Sequence, residues 1–293
     1  MSWSRLIRFV SDDGQVHYGE PKITATSDLE SLLQNGELVA TELSGSSPFG
    51  VGSPNGKELK VKSLLGPLTP ADVPIVRCIG LNYIKHIREG GRKPPPYPSV
   101  FIKPSASVAD HGEDIPIPKV VVQEDGQVDY EGELCIVIGK AGKDIPKDQA
   151  LEHIAGYATG NDVSSRRWQR DPAYAGGVPQ WCFSKGFDKW CPMGPMLVSP
   201  KVVGAAEKLA LRTWVNGELR QDSDTSDLLF GVKDIVAFVS QGTTLEQGTV
   251  IMTGTPAGVA MGMKEPKYLK DGDVVEVEIE EIGKLRNKMA FQS

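Results

Sequence analysis

No apolar run in the 293-residue sequence approaches the roughly 20 residues that a helix needs to span a bilayer, so a helical membrane protein is excluded. Cysteine is scarce: Cys78, Cys135, Cys182 and Cys191 show no C-x-x-C spacing. A disulfide framework and a zinc ribbon are therefore excluded, and reduced, buried thiols are expected. The four histidines, His17, His86, His111 and His153, are scattered, which argues against a histidine-rich zinc site. Basic excess is absent as well: 32 Lys and Arg face 38 Asp and Glu, a net charge of −6. A nucleic-acid partner is not expected, whereas an anionic substrate stays compatible, because local charge can oppose the global sign. The first residues lack the apolar centre of a secretory signal. Two arginines there are followed at once by acidic residues, so the cytoplasm is the expected compartment and the mitochondrion the alternative.

What is present is an ordinary globular composition, 40 % hydrophobic and 24 % charged. Residues 1–66 read as a small β-rich module, a cap or a dimer contact. Ser4–Val10 alternates and pairs with Gln15–Tyr18, Ser27–Asn35 is helix-like, Ser44–Gly56 is turn-rich and Val61–Leu65 is apolar. Residues 67–293 form the larger, catalytic domain. Strands are expected at Ile75–Ile79, Ser99–Lys103, Asp129–Ile138, Ile154–Thr159, Thr249–Met252, Val274–Ile279 and Leu285–Ala290. A hairpin is expected across Asn216-Gly217. Helical periodicity marks Asn82–Glu89, Ser164–Arg170 and Thr225–Ser240, and the proline run within Gly90–Pro98 makes an extended segment. Many short strands, few helices and no βαβ alternation give a mixed, β-dominated α+β fold.

The most informative segment is Asp129–Ile138. Strand side chains alternate, so Asp129, Glu131 and Glu133 share a face. Same-face neighbours lie roughly 6.5–7 Å apart at Cα, close enough for two glutamates to meet on one ion. The plainer alternative is a solvated acidic face. After Leu134, however, the strand turns apolar on both faces, and carboxylates beside a buried strand need a partner. Asp162, which could equally be an N-cap, would complete an all-oxygen set suited to Mg²⁺ or Mn²⁺ over Zn²⁺. Three carboxylates around a dication leave a charge near −1, so a cation such as Lys185 would help an anionic substrate to bind. His86 and Glu89, three apart, lie on one helix face, where a carboxylate can fix the imidazole tautomer or both can simply be solvated. Arg166 and Gln169 share the same spacing.

These segments occur in a fixed order: Gly80-Leu81-Asn82-Tyr83 with His86, Phe101-Ile102-Lys103-Pro104-Ser105, Asp129-Tyr130-Glu131-Gly132-Glu133-Leu134, Gly160-Asn161-Asp162-Val163-Ser164, Lys185-Gly186-Phe187-Asp188, Val215-Asn216-Gly217 and Gly254-Thr255-Pro256-Ala257-Gly258. Over residues 75–290 the series resembles the fumarylacetoacetate hydrolase superfamily, nearest its oxaloacetate tautomerase and acylpyruvase-like branch. The resemblance implies a mixed β-roll catalytic domain, a Mg²⁺ or Mn²⁺ site at Glu131, Glu133 and Asp162, and a homodimer. It implies His86 and Glu89 as a lid dyad that activates water, Lys185 as a site lysine near the metal, and Arg166 and Gln169 facing substrate. Thr255 with its neighbouring backbone N–H groups could hold a substrate carboxylate. Lys103, Ser105 and Tyr157 are further, weaker candidates.

A small 2-keto acid can chelate such an ion, which then stabilises an enolate. One device serves tautomerisation, β-keto acid decarboxylation and C–C hydrolysis. Oxaloacetate keto–enol tautomerase is the first expectation. Acylpyruvate or diketone hydrolase and oxaloacetate decarboxylase come next. A catalytically idle, metal-binding dimeric scaffold ranks last, because no ligand or lid residue is missing.

Overall fold

The computed structural model describes residues 2–293, so Met1 of the expected N-terminal module lies outside it. In chain order the elements are β1 Arg5–Ser11, β2 Val16–Pro21, α1 Asp28–Gln34, β3 Val39–Leu43, β4 Pro54–Leu65, β5 Val76–Gly80, α2 Ile84–Glu89, β6 Ser99–Lys103, β7 Val108–Ala109, β8 Ile115–Ile117, α3 Lys119–Val122, β9 Val128–Asp129 and β10 Gly132–Ile138. They continue with β11 Ile154–Asn161, β12 Ser164–Ser165, α4 Arg166–Arg170, α5 Pro172–Ala175, α6 Trp181–Lys185, β13 Cys191–Val198, α7 Pro200–Val203, β14 Ala210–Val215, β15 Glu218–Asp224, α8 Val232–Val239, β16 Val250–Met252, β17 Val274–Ile279 and β18 Gly283–Phe291. The expected β-dominated α+β fold is what the chain forms.

An 11-stranded sheet runs in the order β2-β3-β4-β1-β13-β11-β10-β16-β5-β6, with β7 alongside β13. A second sheet, β15-β14-β17-β18-β8, packs across β10, β11 and β13 of the first. The residues before 66 are β-rich as expected, but they are not packed apart. β1 pairs with β13, and Ile7, Phe9 and Leu38 share one apolar cluster with Leu134, Ile136 and Tyr157. No helix among the described residues is long and apolar enough to cross a membrane.

Two local expectations change, and one central strand was not among those expected. Asp129–Ile138 is not one strand, because Tyr130 and Glu131 interrupt it. Their backbone N–H groups donate to Asp129 Oδ1 (2.9 Å) and Asn161 Oδ1 (2.9 Å), so side chains replace the ladder. The central strand β13 carries Pro192, Gly194 and Pro195, which read as breakers, and its burial on both faces removes the alternation that marks a strand. Thr225–Ser240 is a short 3₁₀ turn at Thr225–Asp227 followed by α8, whose Val232, Ile235, Val236 and Val239 face the core at helical spacing.

The gap before α8 has a cause. The buried Asn82 accepts from Phe230 N–H (2.9 Å) and donates to the Phe230 (3.1 Å) and Thr253 (2.7 Å) carbonyls, while Leu229 N–H donates to the Asn82 carbonyl at 2.7 Å. This clamp fixes the chain two residues before α2. The Asn216-Gly217 hairpin forms as expected, both residues at positive φ (51° and 78°), the twist that two-residue turns require. Replacing Asn82 with Ala should leave Phe230 and Thr253 backbone groups unsatisfied and cost about 2–4 kcal/mol, read as a lower urea midpoint with unchanged m-value.

Candidate metal centre and its lid

Antiparallel pairing sets Gly132 opposite Asn161 and Glu133 opposite Gly160, so Asp162, just past the end of β11, faces Glu131. Asp162 N–H donates to the Glu131 carbonyl at 2.9 Å and holds that juxtaposition. One carboxylate oxygen each from Glu131, Glu133 and Asp162 lies within 4.8 Å of the others, and all three residues are buried. A solvated acidic face is thereby ruled out. Three oxygen donors at this spacing, with no nitrogen or sulfur among them, fit a hard divalent cation.

Cations from three elements surround the trio. Lys185, at the end of α6, donates to Glu131 Oε2 (2.9 Å), Asp162 Oδ2 (2.7 Å) and Ser164 Oγ (2.6 Å). Lys103, fully buried on β6, donates to Asp162 Oδ1 (2.5 Å) and to the Trp190 carbonyl. Arg166 donates through Nε to Asp129 Oδ2 (2.8 Å) and through Nη1 to Gln169 Oε1 (3.1 Å). Its Nη2 forms an ion-pair contact with Glu131 Oε1 at 2.6 Å, outside good hydrogen-bond alignment.

Burial alone would raise the Glu131 carboxyl, but Lys185, Arg166 and His86 draw it down to about 2. Glu133 goes the other way. Burial, and then the charges of Asp162 and Glu131, hold it well above the ordinary carboxylate range, with Lys185 and a 2.7 Å hydrogen bond from Gly254 N–H opposing only in part. Of the two glutamates, Glu133 is thus the one pushed toward its protonated form.

Helix α2, the expected lid, borders an open pocket of about 80 Å³ whose walls include His86, Glu131, Glu133, Gln169 and Lys185. His86 Nδ1 lies 3.1 Å from Glu89 Oε2, and Glu89 Oε1 accepts from Gly258 N–H at 3.3 Å, so the dyad is formed and latched to the 254–262 loop. A larger groove of about 870 Å³ runs between α1 and β17–β18, but it holds none of these groups.

Several expected roles shift. Lys103 does not reach the cavity, because its ammonium is enclosed by Asp162 and the Trp190 carbonyl. The Arg166 guanidinium is engaged by Asp129, Glu131 and Gln169 and is not a free clamp for a carboxylate. Thr255 borders the cavity, yet its hydroxyl donates to the Gly132 carbonyl (3.0 Å) and accepts from Gln221 (2.8 Å). The Gly254 N–H does hold a carboxylate, that of Glu133. Tyr157 is core packing, its hydroxyl on the Gly204 carbonyl, and Ser105 sits in a 3₁₀ turn away from the cavity. Cys182 is exposed, while the other three thiols are buried as expected.

Sequence reasoning missed two supports. Asp129 accepts from Arg166 and from the Ala260 (2.8 Å) and Met261 (3.1 Å) N–H groups. Gln221 of β15 accepts from Gly132 N–H (3.0 Å) and donates to Thr255 Oγ1 and the Pro256 carbonyl (2.9 Å). The spacing of Asp129 from Glu131 signalled the first; nothing local signals Gln221.

Fold and site define a β-dominated protein with a buried carboxylate centre under a helical lid. The family described as fumarylacetoacetate (FAA) hydrolase, C-terminal, matches residues 75–290, and the chain belongs to the fumarylacetoacetate hydrolase family. It is 40 % identical over 279 residues to caffeoylpyruvate hydrolase of Neonothopanus nambi, covering 94 % of this chain and 88 % of that one. It is 41 % identical over 214 residues to oxaloacetate tautomerase YisK of Bacillus subtilis (strain 168), covering 72 % and 68 %. The structure of fumarylpyruvate hydrolase from Pseudomonas aeruginosa in complex with Mn²⁺ and pyruvate matches with a TM-score of 0.65 and 33 % identity, over 75 % of this chain and 91 % of that one.

Because a dication binds the ionised carboxylate, loading the trio should displace the Glu133 proton, about one per ion. Calorimetry with Mg²⁺ or Mn²⁺ in buffers of different ionisation heat should show that release, and affinity should weaken as pH falls. Heats that do not depend on the buffer would show Glu133 already ionised.

Proposed function

We propose that the chain is a divalent-metal-dependent oxaloacetate keto–enol tautomerase, with Glu131, Glu133 and Asp162 holding Mg²⁺ or Mn²⁺. The observation that carries this reading is the His86–Glu89 dyad at the wall of a small pocket beside the carboxylate trio. When bound, the ion supplies Lewis-acid polarisation of the substrate's 2-oxo group.

The chain's own groups do the rest. Glu89 on His86 Nδ1 fixes the tautomer and leaves Nε2 to carry a proton between C3 and the 2-oxygen. Lys185 is held rigidly by Glu131, Asp162 and Ser164, an ammonium that an acidic substrate meets without reorganisation. Gln169 directs its carbonyl to Arg166, which leaves its amide N–H groups for the substrate. At roughly 10–15 Å³ per water-sized group, about 80 Å³ suits a compact keto acid.

The second reading is acylpyruvate or diketone hydrolysis, with oxaloacetate decarboxylation beside it. It is supported by the relative named caffeoylpyruvate hydrolase, which spans nearly the whole chain, and by a dyad equally able to activate water. The proposal includes a homodimer. It is supported by exposed Val100 and Ile102 on β6, which ends the large sheet, and sedimentation velocity reads the mass.

Metal-loaded protein is expected to accelerate loss of enol-oxaloacetate absorbance without pyruvate release, and His86→Ala should reduce that rate by about 10²–10⁴-fold. Pyruvate release, or cleavage of acylpyruvates without action on oxaloacetate, would replace the first reading by the second. Full activity and metal binding in Glu131→Ala/Glu133→Ala protein would remove the metal centre from the mechanism.

A further inference from the structure

The cavity is bordered by four cationic side chains besides His86, and they fall into two pairs. Arg166 and Lys185 are neutralised by buried carboxylates. Arg170 and Arg92 are not. Arg170 ends α4, one helical turn beyond Arg166 and on the same face. Its hydrogen-bond partner is the Met261 thioether, 2.9 Å from Nη1, a weak acceptor for a guanidinium. Arg92 lies three residues beyond α2, held by its backbone N–H on the Ile87 carbonyl (3.0 Å), and its side chain has no partner among the described residues. No carboxylate stands within ion-pair reach of either guanidinium among the described residues, although the protein carries net negative charge. Burial, and then the positive charges of Arg92 and Arg166, pull Arg170 below an arginine's ordinary value, so the Arg92 and Arg170 guanidinium groups stand near enough to feel each other's charge.

We propose that Arg170 and Arg92 form the subsite for the distal carboxylate of a dicarboxylic 2-keto acid, and so set the preference of this site for diacids over monoacids. The proposal rests on the metal-centred reading above and names its substrate class. Guanidinium groups favour carboxylates because their planar forks donate in pairs. A monoacid chelated at the trio would leave both arginines unpaired, whereas a diacid supplies the missing anion. Arg92 follows α2 and Arg170 ends α4, so a carboxylate shared between them would also join these two segments.

The test uses binding, so it does not depend on which reaction follows. Full-length Mg²⁺- or Mn²⁺-loaded protein is titrated calorimetrically with L-malate and L-lactate, stable 2-hydroxy acids that differ in the distal carboxylate, and with oxalate, which lacks one. The wild type is expected to bind malate about 10- to 100-fold more tightly than lactate. Arg170→Met/Arg92→Met should erase that difference while oxalate affinity stays within about twofold, which also shows that the variant is folded and metal-loaded. If the double variant does not fold, Arg92→Met alone, altering an exposed side chain, should still weaken malate and not oxalate. Equal malate and lactate affinities in the wild type, or a malate preference that survives both substitutions, overturns the proposal. Failure of all three acids to bind overturns it together with the metal-centred reading. A malate preference lost in the variant, alongside no turnover of oxaloacetate, keeps the subsite and removes the tautomerase.

Discussion

Everything at the centre of this fold answers to one constraint: Asp129, Glu131, Glu133 and Asp162 are buried together and must be compensated inside the protein. Removing a carboxylate from water is expensive, and an unpaired one in the interior would shift its pKa or unfold the site. Lys103, Lys185 and Arg166 supply three positive charges against four negative ones. Burial and its neighbours raise the Glu133 carboxyl, which makes it the place where a proton would offset the shortfall. With that proton the cluster is neutral. Exchange of the proton for a dication leaves it with one positive charge, the sign that favours an anionic acid. Counting only the three carboxylates had suggested the opposite sign, and the difference comes from cations that sequence distance hides.

The same constraint explains the irregular backbone. A continuous strand through residues 129–138 would commit the 130 and 131 N–H groups to a neighbouring ladder. Instead the break lets Asp129 and Asn161 take those groups and lets Glu131 turn toward Glu133 and Asp162. The second sheet is recruited for support: Gln221, from β15, joins Gly132 to the 255–256 turn, so the loop that holds Glu133 is fixed from outside its own sheet. Asn82 does the equivalent for the lid by fastening its base to residues 229–230 and 253.

What could be read from the sequence follows from what is local. Alternation, turn chemistry and carboxylate spacing found most strands, the Asn216-Gly217 hairpin and the pair Glu131–Glu133. Asp162 and the His86–Glu89 dyad became persuasive only through the ordered resemblance, since each alone reads as a cap or a solvated helix face. β13 escaped because strands buried on both faces carry no alternation and its prolines mimic loop signals. Lys103 and Arg166 were assigned to substrate because spacing cannot tell a cation that faces a cavity from one that neutralises a neighbour. That distinction is purely three-dimensional.

It also decides how selectivity can be built here. A guanidinium already paired with two buried carboxylates cannot turn to a ligand without exposing Asp129 and Glu131, a rearrangement worth several kcal/mol. Arg166 therefore belongs to the permanent framework, and discrimination among acids must come from groups whose partners are missing in the folded protein. Gln169, with a free amide, and the rim arginines, which have no carboxylate partner among the described residues, meet that condition. On the proposed reading, the carboxylate centre would set the chemistry and the cationic rim would choose which acid is held. Variation of the rim could then change substrate without disturbing the charge balance beneath it, and relatives about 40 % identical to this chain do carry names for different reactions.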